Sequence, residues 1–193
     1  LKLITAQEAV DGGQLRVGEL DPLENPSAVR HKVGLCPQHD TLLDGLTVLE
    51  HCELWAGIKA AGDSADIENK LRLIGLLHKR SNLAKDLSGG QKRKLCIVLA
   101  VLGAPSLLLL DEPTTGVDAG ARRDVWRLLR QHRESNPDCA ILLSTHHMDE
   151  AELLADHVLV LGQQGLRASG SPWDLKKQFD VGYLLSADVQ CEA

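Results

Sequence analysis

The sequence predicts an α/β fold built on a parallel sheet, and three observations carry that prediction. Leu107-Leu108-Leu109-Leu110 is an unbroken apolar run, the pattern of a strand covered on both faces. Two further apolar runs, Ala140 to Leu143 and Val158 to Leu161, are separated by helical patterns, so strands alternate with helices. From about residue 47 to residue 103 no such strand occurs and helical periodicity takes over. A helical subdomain inserted into the sheet domain is expected there, with 1–46 and 104–193 forming the core.

The elements follow in order. After the Asp11-Gly12-Gly13 turn, Gln14 to Glu19 has short-strand character. Val33 to Cys36 is a second short apolar strand, stopped by Pro37. Val48, Cys52, Trp55 and Ala56 recur at helical spacing from Thr47 to Ala61, and Thr47 with Glu50 makes a capping box. A second amphipathic helix spans Asp66 to Leu77. Ser88 opens a third, which carries Leu95, Val98, Leu99 and Leu102 and ends near Gly103-Ala104-Pro105. Beyond the Leu107 strand, a helix from Asp118 places Ala121, Val125, Leu128 and Leu129 on one stripe. Asp149, with Glu152 three residues on, opens the last helix, between the second and third buried strands.

Composition bounds the function. A chain of 193 residues is long enough for one domain with a substantial core. A formal charge of -6 argues against non-specific nucleic-acid binding, despite the basic run Lys92-Arg93-Lys94. No apolar stretch approaches the roughly 18 residues of a membrane span. The five cysteines are scattered without a CxxC pair, which suits reduced structural thiols. The eight histidines cluster only at His146-His147, without ligand spacing, so a histidine-built metal site is not expected. Trp55, Trp126 and Trp173 read as core or interface anchors. The start, Leu1-Lys2-Leu3-Ile4, is neither a signal peptide nor an initiator, and a fragment is expected.

Two places carry chemistry. Asp111 and Glu112 fall where a buried strand ends, the edge at which open α/β sheets bind ligands. One carboxylate there can hold Mg²⁺ and its neighbour can polarise a water. Ser88-Gly89-Gly90 opens a helix, where free N–H groups and the dipole attract anions and glycines allow close approach. Lys92, Arg93 and Lys94 then crowd the first turn, where each cation costs about 0.3–1 kcal/mol. Either an arriving anion offsets that cost or the basic face is solvated.

Leu87 to Gln91 resembles the signature motif of ATP-binding-cassette (ABC) ATPases, and Leu107 to Glu112 resembles their Walker B strand. Gly34 to Asp40 is similar to the Q-loop, Gly116-Val117-Asp118 to the D-loop, and Leu143 to His146 to the switch loop. The resemblance implies a P-loop NTPase-like sheet core and an ATPase with ATP and Mg²⁺ as cofactors. It implies catalytic roles for Glu112 and His146, metal contacts from Asp111 and Gln38, and nucleotide contacts from Gln38, Ser88, Gly89, Gly90, Gln91 and Asp118. Leu46 to His51, Gly89 to Leu95, Met148 to Glu152, and the tail Gly170-Ser171, Leu175 to Lys177 and Gly182-Tyr183 resemble the lipid-transporting A subfamily. The partners so implied are a second cassette, transmembrane domains and, through them, a lipid, at the cytosolic face of a membrane. No nucleic acid is implied.

The resemblance breaks at one motif. No Gly-x-x-x-x-Gly-Lys-Ser/Thr occurs; Gly13 and Gly18 have the separation, but Glu19-Leu20 follows them. Leu1 to Thr5 resembles the end of the helix that normally follows that loop. An N-terminally truncated cassette is therefore expected, inactive alone and weak for ATP, with sheet edges exposed. Three readings stand: part of a lipid exporter's cassette, a regulatory cassette offering only Ser88-Gly89-Gly90 in trans, or a soluble ATPase of translation or DNA repair. The A-subfamily stretches and the lack of a strong basic surface favour the first.

Overall fold

The computed structural model describes residues 1–8, 11–59, 63–163 and 165–179. It divides into two compact units, Leu1–His146 and His147–Ala193.

In the first unit the apolar runs become a three-stranded parallel sheet of β1 (Val33–Cys36), β2 (Leu107–Asp111) and β3 (Ala140–Ser144), in that order. Leu108, Leu109 and Leu110 of the central strand are fully buried, as a strand flanked on both sides requires. The registers Cys36↔Leu110 and Asp111↔Ser144 bring the carboxyl ends of the three strands level. β3 is an edge, and its alternation leaves Leu142 43% exposed, so the expectation of burial on both faces fails there.

The helices start where the caps predict. Thr47 Oγ1 accepts from Glu50 N while Glu50 returns to Thr47 N, opening α2 (Val48–Ile58). α3 (Ser64–Leu73) starts two residues earlier than expected because Asp63 caps it, and it ends before Gly75, whose φ of 70° suits only glycine well. Ser88 and Gln91 form a second capping box for α4 (Gly89–Val101), and Asp118 caps α5 (Ala119–Ser135). α2, α3 and α4 pack on one another, and α4 also lies against β1. From Arg93 to Val101 every residue of α4 is buried.

Other expectations need correction. Gln14 to Glu19 forms no strand; only an isolated bridge, Val17 to Leu20, closes the turn containing Gly18 at φ 59°. Leu1 to Thr5 is a run of turns. A short helix, α1 (Pro26–Lys32), opens on its proline and went unpredicted.

In the second unit α6 (Met148–Leu154) begins one residue before Asp149, after His147, which lends no side-chain cap. β4 (Val158–Gly162) pairs antiparallel with β5 (Gly165–Gly170), and it does not join the parallel sheet as a third buried strand. Gly165, whose φ of 104° lets the chain double back at once, sets β5 against β4. Leu159 and Leu161 are 56% and 75% exposed. α7 (Pro172–Gln178) is capped by Ser171 and ion-paired to α6 through Lys176 and Glu152. Trp173 is 75% exposed and so is no core anchor. Ala61, Gly182-Tyr183 and Cys191 lie outside the described residues. Among those described, no helix is long and apolar enough to cross a membrane.

Candidate active site at the carboxyl edge of the sheet

Because the strands are parallel and level, the residues that follow them emerge side by side: Gln38 after β1, Asp111 and Glu112 at the end of β2, His146 after β3. Ser144, the last residue of β3, organises the middle. Its hydroxyl donates to Asp111 Oδ1 at 2.5 Å and accepts from Glu112 N at 3.1 Å. Glu112 N also donates to Ser144 O at 3.1 Å, continuing the ladder one residue beyond the strand.

Glu112 then turns with φ 49°, in the left-handed region. That turn brings its carboxylate to His146, whose Nδ1 lies 2.6 Å from Glu112 Oε2. Thr115 Oγ1 donates to the same oxygen at 3.1 Å. The Glu112 side chain is 23% exposed and that of His146 59%, so the pair is open to an incoming ligand. Gln38 is exposed on the neighbouring strand end.

Among the described residues, no three His, Cys, Asp or Glu side chains converge as a metal cage. Mg²⁺ instead takes one or two carboxylates together with a nucleotide's phosphates. Asp111, with one oxygen held by Ser144, fits that need.

The α4 start is closed by its own capping box. Ser88 Oγ accepts from Gln91 N at 3.3 Å, and Gln91 Oε1 accepts from Ser88 N at 3.0 Å, so both side chains are engaged in their own cap. What this end offers an anion is backbone, at Gly89 and Gly90. A Cβ on Gly90 would sit 3.8 Å from Gly116 O, which puts the turn after Glu112 beside the helix start. Asp118 accepts from Ala121 N at 2.9 Å, and that bond holds its carboxyl below the usual carboxylate range.

Two cations of the basic run, Arg93 and Lys94, are buried and engaged by the protein itself. Lys94 is buried; its Nζ donates to Ile74 O at 2.7 Å and to Asp124 at 3.1 Å. Arg93, 4% exposed, turns inward to the strand ends. Ser144, Thr115 and Arg93 were all missed from sequence; only the position of Ser144 opposite Asp111 left any signal, once the register was known.

Solved structures define the class of protein. One described as the ATP binding subunit of an ABC transporter is 27% identical, with a TM-score of 0.80, over 92% of this chain and 75% of that chain. The dimeric structure of a bacterial ABC transporter cassette, 21% identical, shares the fold with a TM-score of 0.73 over 89% of this chain and 78% of that one. The fold is therefore that of an ABC ATPase cassette. The ABC transporter family model matches residues 1–115, and the chain belongs to that family.

Members of the A subfamily are among its similar relatives. The retinal-specific phospholipid-transporting ATPase ABCA4 of Bos taurus is 41% identical over 96% of this chain, and the phospholipid-transporting ATPase ABCA3 of Rattus norvegicus 43% over 80%. The ABC transporter ced-7 of Caenorhabditis elegans is 41% identical over 90%. The chain spans 8%, 9% and 10% of the length of these relatives.

Proposed function

We propose that this chain is part of the nucleotide-binding domain of a lipid-transporting ABC transporter, coupling ATP binding and hydrolysis to movement of a lipid through transmembrane domains at whose cytosolic face it sits. The observation that supports it best is the convergence of Gln38, Asp111, Glu112 and His146 on one sheet edge, with His146 and Glu112 in contact.

In this reading Glu112 orients the attacking water and takes its proton as the oxygen bonds to the γ-phosphorus and the bond to ADP breaks. His146, and the Thr115 hydroxyl with it, fix the carboxylate's orientation. Asp111 and Gln38 would hold Mg²⁺, which neutralises charge on the phosphates. Ser88, Gly89, Gly90 and Gln91 form the helix start presented to the nucleotide of a second cassette, and Asp118 belongs to the segment between them. Residues 47–103 form the helical subdomain and 1–46 with 104–193 the core; the mutual packing of α2, α3 and α4 supports that division.

The test is Glu112→Gln in the intact gene product, reconstituted in phospholipid vesicles. Mg-ATP turnover should fall about 10²–10⁴-fold while nucleotide binding persists. Turnover that survives the substitution would refute the assignment, and wild-type ATPase without lipid movement would refute transport.

A further inference from the structure

Arg93 has no part in the reading above, yet it holds five backbone carbonyls of the site. Its five N–H groups meet five carbonyls at the ends of two strands. Nη1 donates to Pro37 O and to Gln38 O, the latter at 3.2 Å, just beyond β1. Nη2 donates to Asp111 O and to Glu112 O, the latter at 3.0 Å, and Nε to Pro113 O at 3.1 Å, at and just beyond the end of β2. The nearest counter-charge is Asp40, with Oδ1 3.9 Å away.

A guanidinium is planar and its donors form a rigid fork. Carbonyls at strand ends have lost their ladder partners and need donors when buried. One rigid group filling both sets fixes the spacing between the residues carrying Gln38 and those carrying Asp111 and Glu112. The same side chain is rooted in α4 four residues after Gly89, so about one helical turn and 6 Å separate it from the anion-facing start.

We propose that Arg93 is the positioning residue that links engagement of the α4 start to the placement of Gln38 and Glu112 at this chain's own site. This rests on the function proposed above. A small tilt or slide of α4, driven by a phosphate held at Gly89 and Gly90, moves the fork and both strand ends with it. The cassette thus passes the state of its partner's nucleotide to its own carboxylate through one side chain.

The test uses the intact gene product with Arg93→Gln and with Arg93→Lys, the second keeping the buried charge but not the fork. Steady-state hydrolysis gives kcat and KM for Mg-ATP, and thermal melting reports folding. Both variants should lose about tenfold or more in kcat, with KM within about threefold of wild type. Arg93→Lys should melt within a few degrees of wild type. Unchanged kcat in a folded Arg93→Lys would overturn the proposal, because the fork would then set nothing. Failure of Arg93→Lys to fold would overturn it too, because the side chain's work would be structural alone. Wild-type protein that hydrolyses no Mg-ATP would instead count against the proposed function.

Discussion

Gly34 and Ala100 bring β1 and α4 closer than any side chain permits: a Cβ on Gly34 would lie 2.0 Å from Ala100 O and 3.0 Å from the Leu108 side chain. The obstacle is backbone, which cannot swing aside as a flexible side chain would. Gly34→Ala therefore forces the strand and helix apart, at the upper end of overpacking costs, about 3 kcal/mol. The measurement is the melting temperature or folded yield of the intact protein. Wild-type stability would show that the contact relaxes freely.

Ser144→Ala should leave folding nearly intact and damage the site. It removes the hydroxyl that holds Asp111 Oδ1 and receives Glu112 N. Glu112 N keeps its second acceptor, Ser144 O, so the main loss falls on Asp111. Supporting groups of this kind are worth about 10–100-fold in metal affinity or activity. We expect a loss in that range, partly recovered by raised Mg²⁺. Ser144→Thr, which keeps a hydroxyl, should lose less.

His132 gives the fold an acid limit. It is buried on α5; burial and the neighbouring Lys70 hold its imidazole below the ordinary 6.5, against a smaller opposing pull from Asp66. Below that pH the unfolded chain binds a proton that the folded one resists, so stability rises with pH through this window. The contribution is complete above pH 6.5 and declines as pH falls beneath it. Melting temperatures between pH 7.5 and 5.5 should drop more steeply for wild type than for His132→Gln. Parallel slopes would assign the acid response to other groups.

The thiols should be silent. Burial pushes Cys36 and Cys52 up to about 12 and Cys96 up to about 11, Arg93 only partly opposing it at Cys36. At pH 8 the thiolate that alkylating reagents need is scarce and enclosed. Iodoacetamide followed by peptide mass mapping should label these three only after denaturant. Rapid labelling of Cys36 in native protein would mean that β1 and α4 separate.

What could be read from sequence depended on how local each signal was. α2 and α4 announce themselves through capping boxes a few residues long, and β2 through its run of leucines. α1 gave no such sign, being seven residues without an apolar stripe. β4 misled because an apolar run looks alike in a buried parallel strand and in a hairpin; only the nearby Gly165 distinguishes them. Asp111 and Glu112 were locatable because they fall where an apolar run ends, whereas Gln38 and His146 were named only through the family resemblance. Arg93 was not locatable, since its partners lie 18 to 56 residues away in sequence. A cation near a helix start suggests an anion until its carbonyls are seen.

The left-handed turn at Glu112 has an evolutionary reading. A residue with a side chain held at φ 49° costs of order 1–2 kcal/mol that glycine there would not. Mutational scanning scored only on abundance should rank Glu112→Gly among the improving changes, though it deletes the carboxylate. In the function proposed above, Glu112 serves turnover at the expense of robustness, so the two make opposite demands on this position.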